Sequence, residues 1–201
     1  MVVKKKQENL KEKAIHGVSW SAIDSLLNSG ITFFVGIILA RILSPAEFGL
    51  IGMITIFIAI SNSIVDSGFS SALIRKVKTK SIDYNTVFYF NICLGIILYI
   101  ILFFSAPAIS RFFNEPILIS ITRAMGTILV INAFAIVQRT LLMKDVDFKT
   151  QTKVSLIASI ISGVIGIGMA LKGFGVWSIV GQQVSRQLLN SIFLWVFNRW
   201  R

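Results

Sequence analysis

The sequence predicts an all-α fold, a polytopic membrane bundle of six transmembrane helices. Three observations predict it. Only 14% of the 201 residues are charged and 55% are hydrophobic, where a soluble domain carries roughly a quarter charged residues. Long stretches carry no charge at all: none falls between Tyr84 and Ser110, and Phe48–Val65 and Val154–Leu171 are each 18 residues without one. A helix needs about 20 apolar residues to cross the hydrocarbon core. Three further spans appear when one ionisable residue is tolerated in each, and the basic residues alternate in density between successive loops.

The first span, about 17–40, contains Asp24. The basic opening segment resembles a signal peptide, but the apolar run behind it passes about 20 residues and lacks an A-x-A-like cleavage site. It reads as an uncleaved span, with His16 an interfacial residue at its start. Ser44-Pro45-Ala46-Glu47 has a capping serine, proline at the first helical position and glutamate at the third, and opens span 2, about 48–70. Span 3, about 84–106, holds the single cysteine, Cys93, which reads as a small packed side chain and not as a disulfide or metal ligand.

Asn114-Glu115-Pro116 precedes span 4, about 117–140, which contains Arg123. In span 5, about 153–171, Ser155, Ser159 and Gly163 recur every four residues, as do Ala158, Ser162 and Gly166. Small residues at that spacing let helices approach closely in lipid. Gly173-Phe174-Gly175 turns into span 6, about 174–197, which contains Arg186. The loops after the odd-numbered spans are tight and the others longer, so the spans read as three hairpins. Glu47-Phe48-Gly49 and Gly173-Phe174-Gly175 echo one another, by an internal hairpin repeat or by chance.

The net charge of +11 does not point to nucleic acid, because of where the charges lie. Fifteen lysines and arginines precede span 1, follow span 6 or occupy the loops between spans 2 and 3 and between spans 4 and 5. The alternate loops hold three: Arg41, Arg111 and Lys172. Lysine and arginine retained on the cytoplasmic side set orientation, so both termini are expected inside, which an even number of spans requires.

Polar positions inside the spans are the candidates for function. In span 1, Ser21, Asp24, Ser25, Asn28 and Thr32 fall within about 100° of one another on a helix. An unpartnered carboxylate in hydrocarbon costs several kcal/mol, so this stripe faces either a buried polar seam or a water-filled cavity open to the cytoplasm. Span 6 carries a second stripe, Gln182, Gln183, Arg186 and Asn190. Arg186 lies about twelve residues from the outer end, roughly 18 Å at about 1.5 Å per residue, too deep to snorkel comfortably. It needs an anion: Asp24 or Asp66 within the chain, or a phosphate from outside. Arg123 lies nearer the outer end of its span, within reach of the surface. Asp66, with Asn62 and Ser70 on one face of span 2, suits a helix end as well as a binding role. The scattered carboxylates have no metal-ligand spacing, and there is no nucleophile elbow and no phosphate loop, so neither an enzyme nor a cofactor is expected. Buried arginines between two polar faces suit the passage of an anionic amphiphile, its tail in lipid and its headgroup in a solvated path.

Four blocks carry a family resemblance. Leu39-Ala40-Arg41-Ile42-Leu43-Ser44-Pro45-Ala46-Glu47-Phe48-Gly49, then Asp66-Ser67-Gly68-Phe69 with Ala72-Leu73-Ile74, resembles the start of polysaccharide exporters of the Wzx and teichuronic-acid type. These belong to the multidrug/oligosaccharidyl-lipid/polysaccharide (MOP) superfamily. Gln138-Arg139, Leu142, Asp145 and Asp147-Phe148-Lys149, then Gly173-Phe174-Gly175-Val176-Trp177-Ser178-Ile179-Val180, are similar to the next two blocks in the same order. The resemblance implies a flippase in a bacterial cytoplasmic membrane, carrying an undecaprenyl-diphosphate-linked oligosaccharide outward by alternating access in surface polysaccharide biosynthesis. It also implies two six-span lobes around a cavity, of which this chain resembles the N-terminal one. A second lobe, or another copy of this chain, is therefore an expected partner beside membrane lipid. The matched motifs read as fold markers at helix ends. The substrate-binding candidates, Arg186, Asp24, Arg123, Gln182, Gln183 and Asn28, rest on burial and charge. Two other readings remain: a cation-coupled multidrug exporter with Asp24 as the coupling carboxylate, and a non-transporting membrane scaffold.

Overall fold

The computed structural model describes residues 2–65, 73, 81–145 and 147–197, with the side chains of residues 2–18 and Ser81 excepted. Asp66, Ser70 and the Asp66–Phe69 block lie outside the described residues, as do the side chain of His16 and the charges that close the chain. Among the described residues six helices of more than one residue follow one another: α1 (Val2–Ile42), α2 (Pro45–Val65), α3 (Ser81–Phe113), α4 (Leu118–Lys144), α5 (Phe148–Leu171) and α6 (Trp177–Phe197). The chain is an all-α membrane bundle. Helix is what lipid demands, since each backbone N–H and C=O must be satisfied within its own segment. Among the described residues, five helices are long and apolar enough to cross a membrane by themselves. The sixth, α6, spans 21 residues, about 31 Å, but its amides and arginine lower its hydropathy.

Helix ends follow local chemistry. Ser44 donates from its backbone N–H to Glu47 Oε2 at 2.7 Å and from its hydroxyl at 2.9 Å. That is the glutamate half of a capping box. Asp147 caps α5, accepting from the Thr150 N–H at 3.1 Å and from the Thr150 hydroxyl at 2.7 Å. Gly173 and Gly175 turn the chain between α5 and α6 with φ of 78° and 56°, a region open to glycine at no steric cost. Each helix-end feature belongs to one of the family-like blocks. Helix boundaries move outward from the expected spans in places. Helix α1 continues back to Val2, and the 33 residues of α3 run through Pro107 to Phe113. Helix α5 begins at Phe148, behind its Asp147 cap, five residues before the expected 153.

Two of the three expected hairpins pack as hairpins: α3 against α4, and α5 against α6. The first does not. Helix α1 packs on α5 and α2 packs on α4, so the two arms diverge from their shared turn. The reason lies in α5. Its first small-residue stripe faces α1, where a Cβ on Gly163 would meet Val35 Cγ2 at 2.8 Å. Its second faces α6, where a Cβ on Gly166 would meet Gln182 Cβ at 2.8 Å. Close approach of backbones, which small residues permit, draws α1 to α5 more strongly than to its neighbour in sequence.

Helix α4 is the central element and the most buried, packed by α3, α6 and α2. An apolar core joins all six helices at the end carrying the α1–α2, α3–α4 and α5–α6 turns. Leu39, Ile51, Ile109, Ile121 and Val176 are among its members. The other end has two smaller clusters, one around Val154 and Leu194 and one around Val65 and Val137. Cys93 is exposed on α3, contrary to the packed position expected of it, because α3 turns that face away from α4.

Candidate functional site: a polar cavity between the diverging arms

The divergence of α1 and α2 leaves a cavity of about 660 Å³, walled by α1, α2, α4, α5 and α6. Its deep part reaches Thr32, Ile58 and Gln182; Arg139, Met143, Gln151 and Leu194 lie toward the end opposite the apolar core. The bundle is thus closed by hydrocarbon at one end and hollow toward the other.

On α1, Asp24, Asn28 and Thr32 line the cavity, one helical turn apart. Ser21 and Ser25, expected in the same stripe, are exposed and are not among the lining residues. Asn28 is the organising group. Its Nδ2 donates to Asp24 Oδ1 at 2.7 Å and to Ser155 Oγ at 2.9 Å. Its Oδ1 accepts from Ser159 Oγ at 2.6 Å and from Arg186 Nη2 at 3.3 Å. Ser155 in turn donates its hydroxyl proton to Asp24 Oδ1. The α5 stripe that reads as packing alone therefore also holds the polar face of α1.

On α6, all four stripe residues, Gln182, Gln183, Arg186 and Asn190, line the cavity. Arg186 is half-buried, and among the described residues both of its hydrogen-bond acceptors are neutral: Asn28 Oδ1, and Thr32 Oγ1 at 3.3 Å. Asp24, the nearby carboxylate whose charge it feels, stands on the far side of Asn28. Guanidinium–carboxylate bonds form at about 2.7–2.9 Å, so contacts of 3.3 Å to uncharged oxygens leave much of the donor capacity of Arg186 uncommitted.

Arg123 is elsewhere. Its guanidinium sits 4.1 Å from the centre of the Phe103 ring, between α4 and α3, and it is not among the cavity residues. The geometry suits a cation–π contact at the bundle flank. Of the six candidates, the structure gathers Asp24, Asn28, Gln182, Gln183 and Arg186, and leaves Arg123 out.

A second polar chain joins the opposite wall. Gln187 Nε2 donates to Asn132 Oδ1 at 2.9 Å, and Asn132 Nδ2 donates to Asn62 Oδ1 at 3.1 Å. It links α6 through α4 to α2. Gln187 and Asn132 were absent from the sequence-based candidates, as were Ser155, Gln151 and Arg139. Gln187 is about 100° round the helix from Arg186 and so falls off its stripe. Asn132 did carry a signal: a lone amide within an apolar span is costly unless another helix supplies its partner.

The family model described as "Polysaccharide biosynthesis protein" matches residues 38–201. Among curated relatives, the chain is 27% identical over 183 residues to the succinoglycan biosynthesis transport protein ExoT of Rhizobium meliloti (strain 1021), covering 91% of this chain and 37% of that protein. It is 26% identical over 140 residues to the lipopolysaccharide biosynthesis protein WzxC of Escherichia coli (strain K12), covering 70% of this chain and 28% of that protein. The teichuronic acid biosynthesis protein TuaB of Bacillus subtilis (strain 168) is 24% identical over 192 residues, covering 95% of this chain and 40% of that protein. The chain thus spans well under half the length of these relatives. No solved structure matches it. With the model matched from the end of α1 through α6, the chain belongs to the polysaccharide biosynthesis protein family.

Proposed function

We propose that this chain is one lobe of an exporter that moves a lipid-linked, phosphate-bearing saccharide out across the bacterial cytoplasmic membrane. The observation that carries the reading is Arg186, in the middle of α6, facing a cavity of about 660 Å³ with only neutral oxygens as direct acceptors among the described residues. A phosphate or diphosphate would supply the charged oxygens that the guanidinium lacks. The surrounding amides, Asn28, Gln182, Gln183 and Asn190, offer the donor–acceptor pairs that sugar hydroxyls accept. Clustered lysines and arginines support an orientation with both termini in the cytoplasm. The hollow end would then face inward and the apolar core would close the outer side, one of the two states alternating access requires. The length of the relatives supports a second lobe completing the path.

The test is Arg186→Ala in the full-length exporter, with insertion verified by membrane fractionation. Surface polysaccharide is expected to be lost while the protein stays in the membrane. Wild-type polysaccharide in that mutant overturns the reading. A second reading, a cation-coupled multidrug exporter, draws on Asp24, whose carboxylate lies in the same cavity. A deletion strain sensitised to cationic dyes, with intact polysaccharide, would favour it.

A further inference from the structure

Beside the cavity, along α1, lies a second depression of about 430 Å³. Asn28, Thr32 and Arg186 bound both spaces, and the depression adds Ser29 and Phe33. Its chemistry differs from that of the cavity. Ser29 and Phe33 each follow a cavity residue by one position, about 100° round α1, and that step exchanges the amide of Asn28 for a small hydroxyl side chain and the hydroxyl of Thr32 for an aromatic ring. The surface of the depression is mostly apolar, and Phe33 is 66% exposed at its edge. Arg186 is therefore reached from a polar space and from an apolar one that meet at the same guanidinium.

A free anion on Arg186 would use only the first of these. An anion at the head of a hydrocarbon chain needs both, because the chain must leave the headgroup without crossing amide-lined surface, and burying apolar area favours it by roughly 25 cal/mol per Å². Resting on the reading given under Proposed function, we propose that the depression along α1 seats the first segment of the apolar chain of a phosphate-headed lipid whose headgroup is held by Arg186. Ser29 and Phe33 are then contacts of the chain, and Thr32 and Asn28 mark the boundary between chain and headgroup. The 3.3 Å bonds from Arg186 to those two residues are the ones the headgroup would replace.

The experiment places the photoreactive residue p-benzoylphenylalanine at position 33 of the protein. A control carries it at position 104 on α3, where Phe104 is 74% exposed and borders neither space. Purified protein in phosphatidylcholine vesicles containing undecaprenyl diphosphate is illuminated, and adducts to the isoprenoid chain are quantified by mass spectrometry. Position 33 is expected to capture the chain severalfold more than position 104. Excess inorganic diphosphate, or Arg186→Gln, is expected to reduce that capture to the control level. In vesicles of phosphatidylglycerol alone, a comparable excess of acyl-chain adducts at position 33 would support the same seat and identify a phospholipid as its occupant. Equal yields at the two positions, or capture at 33 that survives Arg186→Gln, overturn the inference. Binding of radiolabelled inorganic diphosphate separates the two levels. Arg186-dependent binding with equal photoadducts leaves the headgroup site standing and removes the chain seat, whereas no binding and no excess adducts remove both.

Discussion

Gln187 on α6 donates to Asn132 on α4 at 2.9 Å, one residue along from Arg186, which donates the other way, to α1. Neighbouring residues on one helix thus hold the two walls of the cavity. Through Asn132 the first chain reaches Asn62 on α2; through Asn28 the second reaches Asp24 and the α5 serines. Helix α6 is less apolar than its neighbours because it is the hub of both.

The Gln187–Asn132 bond is expected to couple the two positions energetically. Interhelical hydrogen bonds in lipid are worth about 0.6–2 kcal/mol. A double-mutant cycle of Gln187→Leu and Asn132→Leu, read by thermal unfolding in detergent, should return a coupling energy in that range. Strict additivity would show that the two amides do not depend on one another.

Gly166→Ala should destabilise the bundle by about 1–3 kcal/mol through overpacking, since the added Cβ would meet Gln182 Cβ at 2.8 Å and displace a cavity residue with it. Gly168→Ala, two residues along the same helix, meets nothing within 4 Å and serves as the control. Melting temperatures of the two variants, compared with the parent, decide the matter: only the first should fall.

Asp24→Asn separates the two transport readings. The asparagine oxygen can still accept from Ser155, so the fold is expected to persist. Removing a negative charge close to Arg186 should tighten diphosphate binding by about 1 kcal/mol, roughly fivefold, measured by isothermal titration. A coupling carboxylate would behave differently, with transport abolished and anion affinity unchanged.

Arg123→Leu should cost about 0.5–2 kcal/mol from loss of the contact with Phe103 and leave diphosphate affinity as it was. A drop in affinity matching that of Arg186→Ala would return Arg123 to the binding site, against its position outside the cavity.

Much of this molecule is legible one segment at a time. The helices follow from uncharged runs such as Tyr84–Ser110, because the cost of moving a side chain into hydrocarbon is nearly additive along the chain. Turns follow from Ser44 to Glu47 and from Gly173 to Gly175, because caps and left-handed turns depend on residues within about three positions of each other. The place of Arg186 in the middle of α6 comes from counting. Less legible was the partner of each polar group. Ser155 and Ser159 look like spacers until α1 is laid against them, and Arg123 looks like a second buried cation until Phe103 is placed under it.

By itself, the sequence determined which segments are apolar enough to form membrane helices and which residues among them are too polar for lipid, since each depends on a residue and its near neighbours along the chain. The tertiary structure alone decided that α1 leaves its hairpin partner for α5, and that a cavity opens where the two arms part. The physical reason is that helix pairing rests on how closely two backbones can approach. That is set jointly by residues such as Val35 and Gly163, 128 positions apart, and no local property of either segment contains it.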